Sequence, residues 1–325
     1  MSALLEVSDL TKHFTKKPRL GAAEVLRAVD GVSFSVEPGE TLGVVGESGS
    51  GKSTLGRLIL ALLKPTSGHV RFEGQDVHAL SGKDLVRLRR SMQVVFQDPL
   101  SALNPRMTIG DAITEPLVAH GLATGREAQK QMGAMLERVG LSPEHALRYP
   151  HEISGGQRQR AVIARALSLK PKFLVCDEPV AALDVSVQAQ ILNLLRDLQR
   201  DFKLSLLFIA HDLSVVRFMS QRVAVMYLGR IVEVADAETL QAGPKHPYSQ
   251  ALLSAIPSFD PARRNLRVAL LGEPPSPLSP PSGCTFHPRC VRFEKGRCDV
   301  ESPQLRELGV GHQVACLRAD EAASS

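Results

Sequence analysis

Short apolar runs alternate with glycine- and proline-marked turns along most of the chain. Leu4–Leu10 and Val32–Val36 alternate or run apolar and predict strands, with turns at Asp30-Gly31 and Pro38-Gly39. Thr41–Val45 is a branched, apolar run and predicts a buried strand. It leads into the glycine-rich stretch Gly46–Gly51, after which a helix is expected over Lys52–Leu63, stopped by Lys64-Pro65. Val70–Phe72, Gln93–Phe96, Phe173–Cys176 and Leu204–Ile209 predict further strands, and Val223–Tyr227 with Ile231–Val234 predicts a hairpin around Gly229. From Ile109 to Val139 the apolar period becomes helical, carried by Ile113, Leu117 and Val118, then Met132, Met135, Leu136 and Val139. A turn at Ser154-Gly155-Gly156 should precede a helix over Gln157–Leu169, and Val187–Phe202 should form another.

Near Gly243 the pattern changes. Gly272–Gly283 holds five prolines and predicts an extended linker, followed by a small cysteine-bearing tail. A boundary is therefore expected at about residue 243, and no repeat of 20–50 residues is visible. With 325 residues, the chain has room for about two domains. Its 43% hydrophobic and 22% charged content excludes global disorder. A net charge of +5 is too small for a nucleic-acid-binding stripe, so no nucleic-acid partner is expected. No run approaches the roughly 18 apolar residues of a membrane helix, and the N-terminus lacks a secretory pattern.

The candidate chemistry sits at the ends of predicted strands. Gly46-Glu47-Ser48-Gly49-Ser50-Gly51-Lys52-Ser53 fits the phosphate-loop pattern, with Thr54 adjoining it. Small residues let backbone N–H groups wrap a phosphate, and the helix that follows points its positive end at the same anion. Lys52 would add a point charge at the β- and γ-phosphates, and Ser53 a hydroxyl to Mg2+. Phe173–Cys176 ends in Asp177 and Glu178, which could hold Mg2+ through its waters and act as general base, respectively.

These residues, with His151-Glu152-Ile153-Ser154-Gly155-Gly156-Gln157-Arg158-Gln159-Arg160, resemble the motifs of ATP-binding-cassette (ABC) ATPases. Ile153 stands where that signature usually has Leu. The resemblance implies that Gln97 senses the γ-phosphate and Mg2+, that Asp184 lies in the loop linking two cassettes, and that His211 is a switch histidine. It places Phe14 against adenine, and Ser154, Gly155, Gly156 and Gln157 against the nucleotide of a second cassette. The implied fold is α/β: a P-loop NTPase of ABC type, with a parallel core sheet, an antiparallel β subdomain and a helical subdomain. It would occupy residues 1–243, with the helical insertion at about 98–170, and a small extension would follow at 244–325.

A narrower resemblance rests on Gln97-Asp98-Pro99 with Ser101–Arg106, on Asp177–Gln188 and on Lys245–Leu253. These look like the ATPases of dipeptide, oligopeptide and nickel importers, above all the second ATPase of dipeptide permeases. That implies ATP hydrolysis driving peptide import from the cytoplasmic face of the inner membrane. It also implies a related second ATPase subunit, two membrane permease subunits and an external solute-binding protein. Nickel or glutathione import is the alternative, and a soluble non-transport ABC ATPase a more distant one.

Of five cysteines, Cys176 stands alone on an apolar run and reads as a small buried hydrophobe. Cys284, Cys290, Cys298 and Cys316 crowd the tail and suit a [4Fe–4S] cluster or Zn2+. The lack of close C-x2–4-C pairs favours iron–sulfur, and so does the resemblance, because some peptide-importer ATPases carry such a cluster in this tail. Unligated thiols remain the third reading, and His287 or His312 could replace a ligand.

Overall fold

The computed structural model describes residues 3–16, 24–255 and 270–321. The chain runs β1 (Leu5–Lys16), β2 (Glu24–Val36), β3 (Thr41–Val45), α1 (Lys52–Ile59), β4 (Ser67–Phe72), β5 (Gln75–Asp76), α2 (Gly82–Ser91) and β6 (Met92–Val95). It continues through α3 (Pro99–Ala102), α4 (Ile109–Ala119), α5 (Gly125–Arg138), α6 (Gly155–Ser168), β7 (Phe173–Asp177), α7 (Val185–Phe202) and β8 (Ser205–Ala210). Then come α8 (Leu213–Met219), β9 (Arg222–Tyr227), β10 (Arg230–Asp236), α9 (Ala237–Ala242), α10 (Pro247–Ser254), β11 (Arg306–Gly309) and β12 (His312–Val314). No helix among the described residues is long and apolar enough to cross a membrane.

The chain divides into two compact units. One comprises Met1–Val36, Thr41–His78 and Ile209–Ser325, and the other Glu37–Glu40 and Ala79–Phe208. In the first, an antiparallel sheet has the order β2-β1-β4-β5, and a second set of strands runs β11-β12-β10-β9-β3. β3 and β9 are parallel, whereas β9, β10 and β12 pair antiparallel. Every residue of β3 is buried, as a strand covered on both faces requires. α8 lies so close to it that a Cβ on Gly43 would meet the Val216 side chain. Gly229 follows Leu228 at the β9–β10 turn, and both have positive φ (82° and 43°), which keeps this hairpin tight.

The second unit holds β6 and β7 as a parallel pair, with Met92 beside Phe173 and Val95 beside Cys176. All five residues of β7 are buried. Its helices pack α4 against α5 and α6, and Leu117, Ala123 and Ala128 form an apolar cluster at the α4–α5 turn. α6 begins at Ser154, whose hydroxyl accepts from the Gln157 N–H while the Gln157 side chain accepts from the Ser154 N–H. That capping box satisfies two of the helix's orphan donors.

Three local expectations change. α1 stops at Ile59 rather than Leu63, because Ala61 turns left-handed (φ 53°) and Leu62 and Leu63 both donate back to the Arg57 carbonyl. Asp30-Gly31 is not a turn between strands. It lies inside β2, where Gly31 (φ 71°) sits in a register shift against β1. Gly155 and Gly156 belong to the first turn of α6 rather than to a preceding loop.

The extension joins the first unit through β12, which pairs with β10. Glu233 on β10 is fully buried and accepts from the Lys245 N–H (2.7 Å), the His246 N–H (3.0 Å) and His312 Nε2 (2.7 Å). Residues 256–269 and 322–325 of the extension lie outside the described residues.

α7 ends on Lys203 in the left-handed conformation (φ 53°), where a side chain costs about 1 kcal/mol over glycine. Lys203→Gly should therefore raise stability by about that amount, read as a higher midpoint of urea unfolding. A lower midpoint would contradict the cap geometry.

Candidate nucleotide site and thiol pocket

In the first unit, β3 delivers Gly46–Gly51 to the start of α1. The loop is wedged between strands. A Cβ on Gly46 would meet the Met226 carbonyl oxygen of β9, and one on Gly51 would meet the Ala28 carbonyl of β2. Gly51 (φ 104°) is also the N-cap of α1, a conformation that disfavours any side chain. Gly49 (φ 79°) has open space on the side where a Cβ would stand. The Gly229 N–H, from the β9–β10 turn, donates to the Ser50 carbonyl at 2.9 Å and holds the loop from that side.

Lys52 is buried, and its ammonium donates to the carbonyls of Gly46 (2.7 Å) and Glu47 (2.9 Å). The cation thus lies along the loop it follows. No acidic residue occupies the first turn of α1, so nothing there opposes an anion at the helix start. The loop's second residue, Glu47, has two partners far away in sequence. Its N–H donates to Tyr248 Oη (2.8 Å), and its carboxylate meets the Arg289 guanidinium. Neither partner was expected from the sequence. Each lies some 200 residues or more from Glu47, a separation at which no local pattern operates.

The same unit carries Phe14 and His211. Phe14 lies on β1, 38% exposed, with the Lys12 ammonium 5.0 Å from its ring centre. An aromatic ring exposed to this degree is available for stacking. His211 directly follows β8, and the next residue, Asp212, caps α8 by accepting from the Ser214 N–H (2.7 Å).

The second unit gathers the remaining motif residues. Gln97 is exposed just after β6, and Asp98 caps α3 through the Leu100 N–H (2.9 Å). Asp177 ends β7 with 7% exposure. Glu178 follows with φ 50°, a left-handed backbone for a side chain that ordinarily avoids it. Strain of this kind costs of order 1–3 kcal/mol and collects at functional positions. Cys176, one residue before Asp177, is fully buried; burial, and then the Asp177 charge, push its thiol up, so it stays neutral.

Ser154, Gly155 and Gly156 open α6 beside Leu183 and α7. A Cβ on Gly155 would touch Leu183 at 3.4 Å, and one on Gly156 would meet Val187 at 2.7 Å. The two glycines therefore let the helix start lie against the Ala182–Asp184 segment. Ser154 Oγ is an acceptor in its capping box, which leaves its O–H proton to donate outward. Asp184 is exposed at the N-cap of α7.

The four tail cysteines of the first unit line a single cavity of about 20 Å3, together with His246, Phe286, His287 and Arg292. None forms a disulfide. Backbone bonds link three of them: Cys284 N–H donates to the Cys298 carbonyl (2.8 Å), His287 N–H to the Cys284 carbonyl (3.0 Å) and Cys290 N–H to the His287 carbonyl (3.2 Å). Burial pushes the Cys284 thiol up to about 12 and moves Cys290 and Cys316 in the same direction. Among the described residues, no group of three or more His, Cys, Asp or Glu could hold a metal ion. His312 is not part of the thiol lining, because its ring is committed to Glu233.

Gly51→Ala should lower the melting temperature, since it forces a side chain into a left-handed position against the Ala28 carbonyl. The expected cost is about 1–3 kcal/mol, and an unchanged melting temperature would contradict the wedged loop.

Residues 29–181 match the ABC transporter family, and residues 232–298 match the oligopeptide/dipeptide transporter C-terminal region. A protein of Sinorhizobium fredii named as a peptide ABC transporter ATP-binding protein is 54% identical over 99% of this chain and 92% of its own length. The oligopeptide transport ATP-binding protein AppF of Bacillus subtilis is 50% identical over 96% of each chain. Among solved structures, a dimeric ATP-binding cassette in a post-hydrolysis state with ADP and Pi superposes with a TM-score of 0.64 at 30% identity, covering 72% of this chain and 98% of that one. The chain belongs to the ABC transporter family as an ATP-binding subunit and carries the oligopeptide/dipeptide transporter C-terminal region.

Proposed function

We propose that this chain is the ATP-hydrolysing subunit of a peptide importer, docked at the cytoplasmic face of the membrane. The observation that carries the reading is a wedged phosphate loop in a chain about half identical, over nearly its whole length, to proteins named for peptide and oligopeptide transport. Dipeptides and short oligopeptides are the proposed cargo. The ATPase works with a related second ATPase subunit, two permease subunits and an external binding protein that selects the cargo.

The residues take the following roles. The backbone of Gly46–Ser53 and the Lys52 ammonium bind the β- and γ-phosphates of ATP, and the Thr54 side chain adjoins them. Phe14 stacks on adenine. Ser53, Gln97 and Asp177 suit Mg2+ by their hard oxygen donors; the ion supplies charge neutralisation on the phosphates. Glu178 accepts a proton from the water that attacks the γ-phosphate, and His211 orients that water and phosphate. Ser154, Gly155, Gly156 and Gln157 present the start of α6 to the γ-phosphate held by the second subunit, and Asp184 lies at the junction of the two. ATP then joins two cassettes, and hydrolysis separates them.

Cys284, Cys290, Cys298 and Cys316, which line one small cavity, would be the ligands of a [4Fe–4S] cluster by their donor chemistry, with Zn2+ as the alternative. When bound, the cluster supplies a structural cross-link of the tail. Burial disfavours the thiolate forms of Cys284, Cys290 and Cys316 unless a positive partner is present, and iron would supply one.

Two measurements test these assignments. Glu178→Gln should keep ATP binding, lower hydrolysis at least about a hundredfold and accumulate the ATP-joined dimer in sedimentation. Normal turnover would remove Glu178 as the base. Anaerobically purified protein should contain about four irons per chain and a brown chromophore, both lost in Cys290→Ser. Iron-free, colourless protein would leave the four cysteines as structural thiols.

A further inference from the structure

The phosphate loop contains a carboxylate that polyphosphate binding disfavours. Glu47 directly follows Gly46, and an unpaired negative charge there would oppose the incoming anion. Arg289 answers it with a two-pronged ion pair, Nη1 to Oε2 at 2.7 Å and Nη2 to Oε1 at 3.1 Å. Such a fork fixes orientation as well as charge. The arginine side chain is 4% exposed and the glutamate 24%, so water screens the pair mainly at the glutamate.

Arg289 is itself held. Its Nε donates to the Leu271 carbonyl (3.1 Å), and its guanidinium lies 6.0 Å from the Tyr227 ring centre. The other end of Glu47 is fixed too, because its N–H donates to Tyr248 Oη at 2.8 Å. Tyr248 is fully buried, with the Tyr227 ring at 4.7 Å and the Phe286 ring at 5.4 Å. Phe286 and Arg289 both belong to the short span between Cys284 and Cys290. The segment bounded by two pocket thiols is thus the segment that reaches the loop.

We infer that Arg289 and Tyr248 are positioning residues of the phosphate loop: they neutralise Glu47 and fix its peptide plane, so the C-terminal extension sets the affinity for ATP. The inference rests on the assignment of residues 46–53 to the phosphates of ATP. It assigns the extension a role in nucleotide binding in addition to its place in an import complex.

The test is equilibrium binding of a fluorescent ATP analogue with Mg2+ to the full chain. Arg289→Met should weaken binding about tenfold, within the span usual for coupled groups. Adding Glu47→Gln to Arg289→Met should recover more than half of that loss, because the charge that needed neutralising is gone. Arg289→Lys should fall between wild type and Arg289→Met, keeping charge without the fork. Tyr248→Phe removes one acceptor and little volume, and should weaken binding about threefold even if Arg289→Met fails to fold. Wild-type affinity in Arg289→Met, or in Tyr248→Phe where Arg289→Met does not fold, overturns the inference. So does a double variant no better than Arg289→Met, which would mean that the arginine only supports the fold. Lys52→Ala separates the two levels. Unchanged affinity there overturns the loop assignment itself, whereas lost affinity there with wild-type Arg289→Met overturns only the positioning role.

Discussion

A polyphosphate can be held by backbone N–H groups only if the peptide planes that carry them cannot turn away. That constraint organises the first unit. Gly46 and Gly51 sit where strands β9 and β2 leave no room for a Cβ, so sheet backbone clamps the loop. β3 feeds the loop from a wholly buried strand, and α8 packs against that strand at Gly43. The turn at Leu228-Gly229 reaches back to the Ser50 carbonyl. Gly46 and Gly51 are therefore required less for flexibility than for close approach.

The second unit meets a related demand with a helix start. Ser154 and Gln157 cap α6 reciprocally, and Gly155 and Gly156 let that start lie against Leu183 and Val187. Glu178 adds a left-handed, strained backbone next to the buried Asp177 carboxylate. In the proposed function each nucleotide would meet the loop of one chain and the helix start of another.

Much of this was legible in the sequence because it depends on neighbours. The apolar run Thr41–Val45 and the spacing of Gly46, Gly51 and Lys52 are local signals, as is the apolar run before Asp177 and Glu178. The helix starting at Gly155 rather than Gln157 could have been found from the Ser154–Gln157 capping pair. α2 escaped because its polar sequence, GKDLVRLRRS, buries only Leu88. The early end of α1 depends on one left-handed alanine, a conformation that composition does not announce. The partners of Glu47 were out of reach for a different reason. Arg289 and Tyr248 approach it through tertiary packing of an aromatic cluster, and no spacing in the chain encodes that meeting.

The central claim is that phosphate binding at this loop powers peptide import. Its most direct test is uptake by cells that lack this chain, supplied in turn with a labelled dipeptide, a labelled hexapeptide and Ni2+. The account predicts that peptide uptake is lost, is restored by the wild-type chain and is not restored by Lys52→Ala, while Ni2+ uptake is unaffected. Full peptide uptake in cells carrying only Lys52→Ala, or loss confined to Ni2+, would contradict it.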